Sequence, residues 1–201
     1  MQTFPAKLDL DRVVVVGISC SGKTTFSKRL AIVLNNPRFE LDDFFWGPNW
    51  HSRPTADFRR LAAEAAAGER WVIDGGYRAA REVVWPRATA VVWLNLSFVT
   101  VFGRAVVRCF IRARSAELLH TAGNRESFRH SFFSRGSILL HIIKTYSAQR
   151  RRYRELRESG QFPQIVWIEF RGPTDAEEFL HSLSSAVTNI AMTVFFLALL
   201  M

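Results

Sequence analysis

Residues Gly17-Ile18-Ser19-Cys20-Ser21-Gly22-Lys23-Thr24 fit the pattern G-x-x-x-x-G-K-[ST]. Glycines at both ends let the backbone turn tightly, so that successive amide N–H groups converge on one anion. A helix starting near Gly22 adds its positive end to the same point. Lys23 brings an ammonium that reaches the β- and γ-phosphates of a nucleoside triphosphate, and the Thr24 hydroxyl is a ligand for Mg²⁺. The run therefore reads as a triphosphate cradle, with ATP and Mg²⁺ as its expected ligands. The nucleotide-binding set is Gly17, Ser19, Cys20, Ser21, Gly22, Lys23, Thr24 and Thr25.

Further along the chain, Asp74 ends an apolar run, where a carboxylate can hold magnesium directly or through its water, or cap a turn. Asp42-Asp43 ends another. Arg104, Arg108 and Arg112 recur every fourth residue, so one helix face presents all three, as an anion clamp or as a solvated basic face. Phe44, Phe45, Trp46 and Trp50 can wall an acceptor pocket or fill a core. Cys20, inside the loop, is a small spacer or a redox-sensitive thiol.

These residues need a scaffold, and the hydrophobic pattern supplies one. Val13 to Val16 is a short β-branched run of the kind buried on both faces of a parallel sheet. Lys23 to Leu34 continues as a helix. Phe39-Glu40-Leu41 makes a brief second strand ending at Asp42-Asp43, and a helix capped by Thr55 runs to Ala67, before Gly68. Trp71 to Ile73, Ala90 to Leu94 and Ile165 to Ile168 are further strands. A helix starts near Ser97, one or two helices span Arg125 to Arg157, and Thr174 with Glu177 forms a capping-box pattern opening the last helix. Strands alternating with helices in this way predict an α/β domain with a parallel sheet.

At 201 residues, 48% of them hydrophobic and 22% charged, the chain has the size and composition of one globular domain. Two cysteines without paired spacing argue against a disulfide framework or zinc site, and the N-terminal residues lack a secretory pattern, so a cytoplasmic protein is expected. The net charge of +9 is concentrated. Arg104 to Arg157 holds twelve arginines and one lysine against three glutamates, leaving the rest of the chain near −1. Such a segment calls for an anionic partner or a solvated surface.

The order of the cradle, Asp42 after strand two, Asp74-Gly75 after strand three and paired arginines after strand four resembles the adenylate-kinase-like P-loop proteins. Leu41-Asp42, Trp46 to Trp50 and Trp71 to Gly75 are similar to a bacterial subgroup labelled DNA topology modulation proteins. The resemblance covers roughly Val13 to Leu183. It implies a P-loop NTPase fold: three layers, α/β/α, around a five-stranded parallel sheet ordered 2-3-1-4-5, with a helical lid near residues 109–135. By the same resemblance Asp74 serves magnesium, and Arg78 binds the acceptor, with Gly76-Tyr77 standing where adenylate kinases carry Phe-Pro. Arg104 and Arg108 clamp the transferred phosphoryl group, and Arg171 belongs to the loop at the adenine base.

The acidic strand end departs from nucleoside monophosphate kinases, which surround their acceptor phosphate with cations. Shikimate-type kinases place an aspartate there against a substrate hydroxyl. Asp42 is accordingly read as the base or orienting group for a hydroxyl-bearing small-molecule or nucleotide acceptor, with Trp46 and Trp50 beside it and Lys23, Arg104 and Arg108 completing the catalytic set. A nucleotide-binding regulator acting on nucleic acid is the competing reading, and a plain ATPase a third. The kinase-like domain is expected to span residues 1–187. The apolar tail, 188–201, is shorter than a spanning helix and reads as non-spanning, with weak membrane association as the alternative.

Overall fold

The computed structural model describes residues 8–48, 51–115, 118–119, 124–125 and 138–199. The valine run forms β1 (Arg12–Gly17), and α1 (Lys23–Leu34) follows over the span expected from the sequence. Asn35 closes α1 in the left-handed conformation, its N–H bonding back to the last turn. Then come β2 (Arg38–Glu40), the short α2 (Leu41–Phe45), α3 (Thr55–Ala65), β3 (Trp71–Asp74), α4 (Arg78–Val84) and β4 (Ala90–Leu94). After α5 (Phe98–Ser115) a two-residue antiparallel pair, β5 (Leu118–Leu119) with β6 (Asn124–Arg125), precedes α6 (Ile138–Glu158), β7 (Val166–Phe170) and α7 (Pro173–Leu199).

The central sheet is β2-β3-β1-β4-β7, every neighbouring pair parallel, which is the 2-3-1-4-5 order expected. Alternate residues of each strand enter opposite layers. Val14, Val16, Ile73, Val91 and Trp93 join Phe58 of α3, Ala80 and Val84 of α4 and Tyr153 of α6. Val13, Val15, Val72, Val92 and Ile168 join Phe26 and Leu30 of α1 with Phe179 and Leu180 of α7 on the other face. Burial on both sides explains why these strands are continuously apolar rather than alternating.

Several local expectations are corrected. Strand two stops at Glu40, and Leu41 turns the chain into α2, so Asp42 stands on a helical turn whose carbonyl accepts from the Trp46 N–H at 3.0 Å. Thr55 is the first residue of α3 and does not cap it; Pro54 precedes it, and the helix ends at Ala65. Arg125 pairs in β6 rather than opening a helix, residues 126–137 of that expected span lie outside the described ones, and α6 covers Ile138–Glu158. The capping box is absent: Glu177 accepts from Arg29 on α1 at 2.6 Å, while Asp175 takes the Arg171 and Gly172 N–H groups. Ser97 does cap α5, accepting from the Thr100 N–H at 3.2 Å. The expected lid contains the end of α5 and the β5–β6 pair, its other residues lying outside the described ones, as does Trp50. α7 crosses the expected 187/188 boundary without a break. No helix among the described residues is long and apolar enough to cross a membrane.

Candidate active site

The chain lays β2 and β3 to one side of β1 and β4 and β7 to the other, so the edge beyond the C-terminal end of β1 is a topological switch point. Register sets what meets there. Glu40 is paired with Asp74, and Asp74 with Val15, two residues before the loop opens at Gly17.

The loop backbone is built for close approach. Cys20 and Gly22 have φ of 63° and 97°. A Cβ at Gly17 would come within 2.7 Å of Ser21 Oγ, a tighter approach than side chains tolerate. Cys20 is the unusual occupant, because a left-handed conformation costs a side-chain-bearing residue about 1–2 kcal/mol. The first turn of α1 has neither a side-chain cap nor an acidic residue, so its amide groups remain open to an anion. Lys23 Nζ donates to the Ile18 carbonyl at 3.2 Å, which keeps the ammonium over the loop. Ser19 is half-buried, Ser21 is buried, and Thr25 is exposed on α1.

Around Thr24 lies a polar cluster that sequence reasoning only partly found. Thr24 Oγ1 donates to Glu40 Oε1 at 3.1 Å, and Ser27 Oγ to Asp74 Oδ2 at 3.3 Å. Arg38 binds Ser27 Oγ at 2.8 Å, Glu40 at 2.8 Å and Asp74 at 3.4 Å. Glu40, Arg38 and Ser27 were missed. The legible signal was spacing: Arg38 and Glu40 share a strand face, and Ser27 follows Thr24 by one helical turn. One hydroxyl and two carboxylates form a hard oxygen donor set suited to Mg²⁺, which uses one or two carboxylates and completes its shell from phosphates and water. Thr24, Asp74 and Glu40 are the residues that would hold it.

Asp74 is 2% exposed, and burial raises its carboxyl above the usual range. Lys23 pulls the other way, Glu40 adds to the rise, and Thr24 and Arg38 lower it. The folded chain thus holds this proton more tightly than the unfolded chain, so ionising Asp74 costs stability as pH climbs from the unfolded value, 3.8, through the folded one. Asp74→Asn removes that cost. Thermal unfolding of nucleotide-free protein from about pH 4 to about pH 8 should show the variant gaining on the wild type as pH rises. Its Mg²⁺ affinity in the nucleotide complex should fall about 10–100-fold. A variant that instead loses ground with rising pH would show that Asp74 is held ionised by its neighbours.

Two of the three clamp arginines reach the loop. Arg104 Nη1 donates to the Ser21 carbonyl at 3.0 Å, and Arg108 Nη1 lies 3.9 Å from Cys20 Sγ. The side chain of Arg112 lies outside the described residues. Arg171 turns to Glu169 at 3.0 Å, and Glu169 also accepts from Asn95 at 2.6 Å and Arg157 at 2.8 Å. Burial alone would raise the Glu169 carboxyl; the hydrogen bonds from Arg171, Asn95 and Arg157 outweigh it and hold it below the usual range. Arg171 is therefore fixed by its own strand, at the loop leading into α7.

Asp42 faces a second device. Tyr77 Oη donates to Asp42 Oδ1 at 2.6 Å, and the Tyr77 ring packs against Phe45 (4.6 Å) and Phe58 (5.2 Å). Burial first, then the Asp42 carboxylate, pushes the Tyr77 phenol far up, so it stays a donor. Trp46 stands edge-on to Phe45 at 4.8 Å and bridges to Ser52. The aromatic run thus divides: Phe45 supports Tyr77 against the α3 side of the core, while Trp46 closes the loop after α2. Arg78, first residue of α4, is exposed and makes no hydrogen bond or ion pair with another described residue.

A five-stranded parallel sheet in this order, with its first strand running through a phosphate loop into α1, defines the P-loop kinase fold. No family model matches the chain, and no curated protein matches it. Among solved structures it is similar to a shikimate kinase from Bacteroides thetaiotaomicron, with a TM-score of 0.52 at 18% identity over 88% of this chain and 98% of that one. A gluconokinase from Sinorhizobium meliloti 1021 matches with a TM-score of 0.47 at 17% identity, covering 93% and 97%. At such identities the first likeness establishes the fold, and activity has to be argued from the residues.

Proposed function

We propose that this chain is an ATP- and magnesium-dependent phosphotransferase that acts on a hydroxyl of a small-molecule acceptor. The observation that carries the reading is the pairing of two devices at one sheet edge. One is an uncapped helix start with Lys23 and the Thr24–Glu40–Asp74 oxygens; the other is Asp42 held by Tyr77. The first suits a triphosphate and its cation. The second suits an uncharged acceptor group with a proton to lose.

In this mechanism the loop amides and the start of α1 bind the β- and γ-phosphates, and Lys23 leaves the Ile18 carbonyl to follow the charge on the moving phosphoryl group. Thr24, Glu40 and Asp74 would hold magnesium, which would supply positive charge against the phosphates. Arg104 and Arg108, already beside Ser21 and Cys20, approach the same oxygens. Asp42 orients the acceptor hydroxyl and takes its proton as that oxygen bonds to the γ-phosphorus and the bond to the ADP oxygen breaks. The similar solved structure of a shikimate kinase is that of a small-molecule kinase, and the reading does not depend on it.

The test is a screen of nucleosides, nucleotides and sugars for ATP-dependent phosphorylation by the purified chain. A phosphorylated metabolite is expected, formed only with Mg²⁺. An empty screen joined to steep salt-dependent DNA affinity would replace this reading with that of a nucleic-acid regulator.

A further inference from the structure

The polar cluster around Thr24 contains a positive group of its own. Arg38 and Glu40 lie on one face of β2, and the β2–β3 register sets Glu40 beside Asp74. Two carboxylates so placed repel each other unless a positive group joins them. Arg38 does so. Its Nη2 donates to Glu40 Oε2 at 2.8 Å and to Asp74 Oδ2 at 3.4 Å. Its Nε donates to Ser27 Oγ at 2.8 Å, and Ser27 donates in turn to Asp74 at 3.3 Å. The side chains of Arg38 and Glu40 are 18% and 16% exposed and that of Asp74 2%, so water and salt screen these charges only in part.

Thr24 and Arg38 bind opposite oxygens of Glu40, Oε1 at 3.1 Å and Oε2 at 2.8 Å. Arg38 thus leaves the Thr24 hydroxyl and its carboxylate partner to the cation site while cancelling charge from the other oxygen. The charge count at this corner is even. Glu40 and Asp74 are matched by Arg38 and by Lys23, which acts on Asp74 through space. Arg104 and Arg108, beside Ser21 and Cys20, add positive charge at the loop. In nucleotide-free protein this corner therefore offers a divalent cation no net attraction, and the negative charge of a triphosphate supplies it.

We propose that Arg38 is a positioning residue that makes cation binding conditional on the nucleotide. It holds Glu40 and Asp74 together and neutralises them, so nucleotide-free protein takes up a divalent ion only weakly. The proposal rests on the phosphotransferase reading and adds to it the residue that couples the two ligands. A guanidinium that merely stabilised the fold would leave metal affinity alone when another cation replaced it and also when a neutral group did.

The test titrates Mn²⁺ into the full nucleotide-free chain at about pH 8, where carboxylate ligands are ionised, and reads the free ion by its paramagnetic resonance signal. Arg38→Gln should bind Mn²⁺ about 10-fold or more tightly than the wild type, and Arg38→Lys, which keeps the charge, should stay close to the wild type. Adding Asp74→Asn to Arg38→Gln should abolish the gain, which locates it at this site. Circular dichroism and the thermal midpoint establish that the variants fold, with Arg38→Met as the second neutral replacement. Nucleotide-free wild type that already binds Mn²⁺ at micromolar concentrations overturns the proposal without any variant. So does a neutral variant that binds no more tightly than the wild type, or an equal gain in Arg38→Lys. Calorimetry with a non-hydrolysable ATP analogue and Mn²⁺ supplies the last arm: the analogue should bind the wild type. If it does not, the phosphotransferase reading falls and takes this proposal with it, whereas the other adverse outcomes overturn this proposal alone.

Discussion

Lys23→Met should cut ATP-dependent phosphoryl transfer by about 10²–10³-fold while leaving the fold intact, an effect of the size seen when one charge-stabilising donor is removed from a transition state. Structurally the side chain asks little of the folded state. Lys23, half-buried at the start of α1, donates one hydrogen bond, to the carbonyl of the buried Ile18 at 3.2 Å. Its ammonium also acts at a distance on Asp74, where it is the largest influence favouring the charged carboxylate. Losing it should therefore raise the Asp74 carboxyl further and weaken magnesium binding more at low pH than at high pH, since a protonated Asp74 is a poor ligand. The measurement is turnover against Mg²⁺ concentration at two pH values, with the thermal midpoint as control. A variant that keeps its rate would remove Lys23 from the chemistry, and one whose midpoint collapses would make its role structural.

How much of this was legible beforehand depends on how far apart in the chain the partners lie. The strand-loop-helix unit from Arg12 to Leu34 was readable because its determinants are contiguous: four valines, a fixed glycine spacing and a helix that needs no distant partner to start. The strand order followed from the resemblance, and the register then made neighbours of Glu40 and Asp74, thirty-four residues apart. Pattern alone could not supply that. For the same reason Glu177 looked like the second half of a capping box, its true partner, Arg29, being 148 residues away. The end of β2 was misread because Phe39 and Leu41 look alike in a period-two pattern. Leu41 is nevertheless the residue that turns the chain into α2, and it is buried against Gly75, where a Cβ would strike its side chain. Cys20 was visible as an odd loop residue, but its left-handed backbone, the reason a glycine would be easier there, belongs to the folded loop. Tyr77 was seen only as a departure from Phe-Pro, and its hydroxyl meets a carboxylate 35 residues away.

That contact makes Asp42 the position where substitution distinguishes the chemistry most sharply. Asp42→Asn keeps a carbonyl oxygen for the Tyr77 hydroxyl and keeps the side-chain volume, so the packing of Tyr77 against Phe45 and Phe58 should persist. What disappears is the ability to accept a proton. If Asp42 is the base, turnover should fall by about 10²–10⁴-fold, with the affinity for ATP unchanged. Tyr77→Phe removes the other half of the pair: Asp42 keeps its charge but loses the donor that aims it. A smaller fall, about 10-fold, should follow, appearing in kcat more than in the KM for ATP. Replacing both residues should cost no more than Asp42→Asn alone, because a positioned group cannot matter once the group it positions is inert. Double-variant losses equal to the product of the single ones would mean that Tyr77 acts on the acceptor directly, and an Asp42→Asn enzyme with undiminished turnover would leave the carboxylate a structural anchor for the tyrosine.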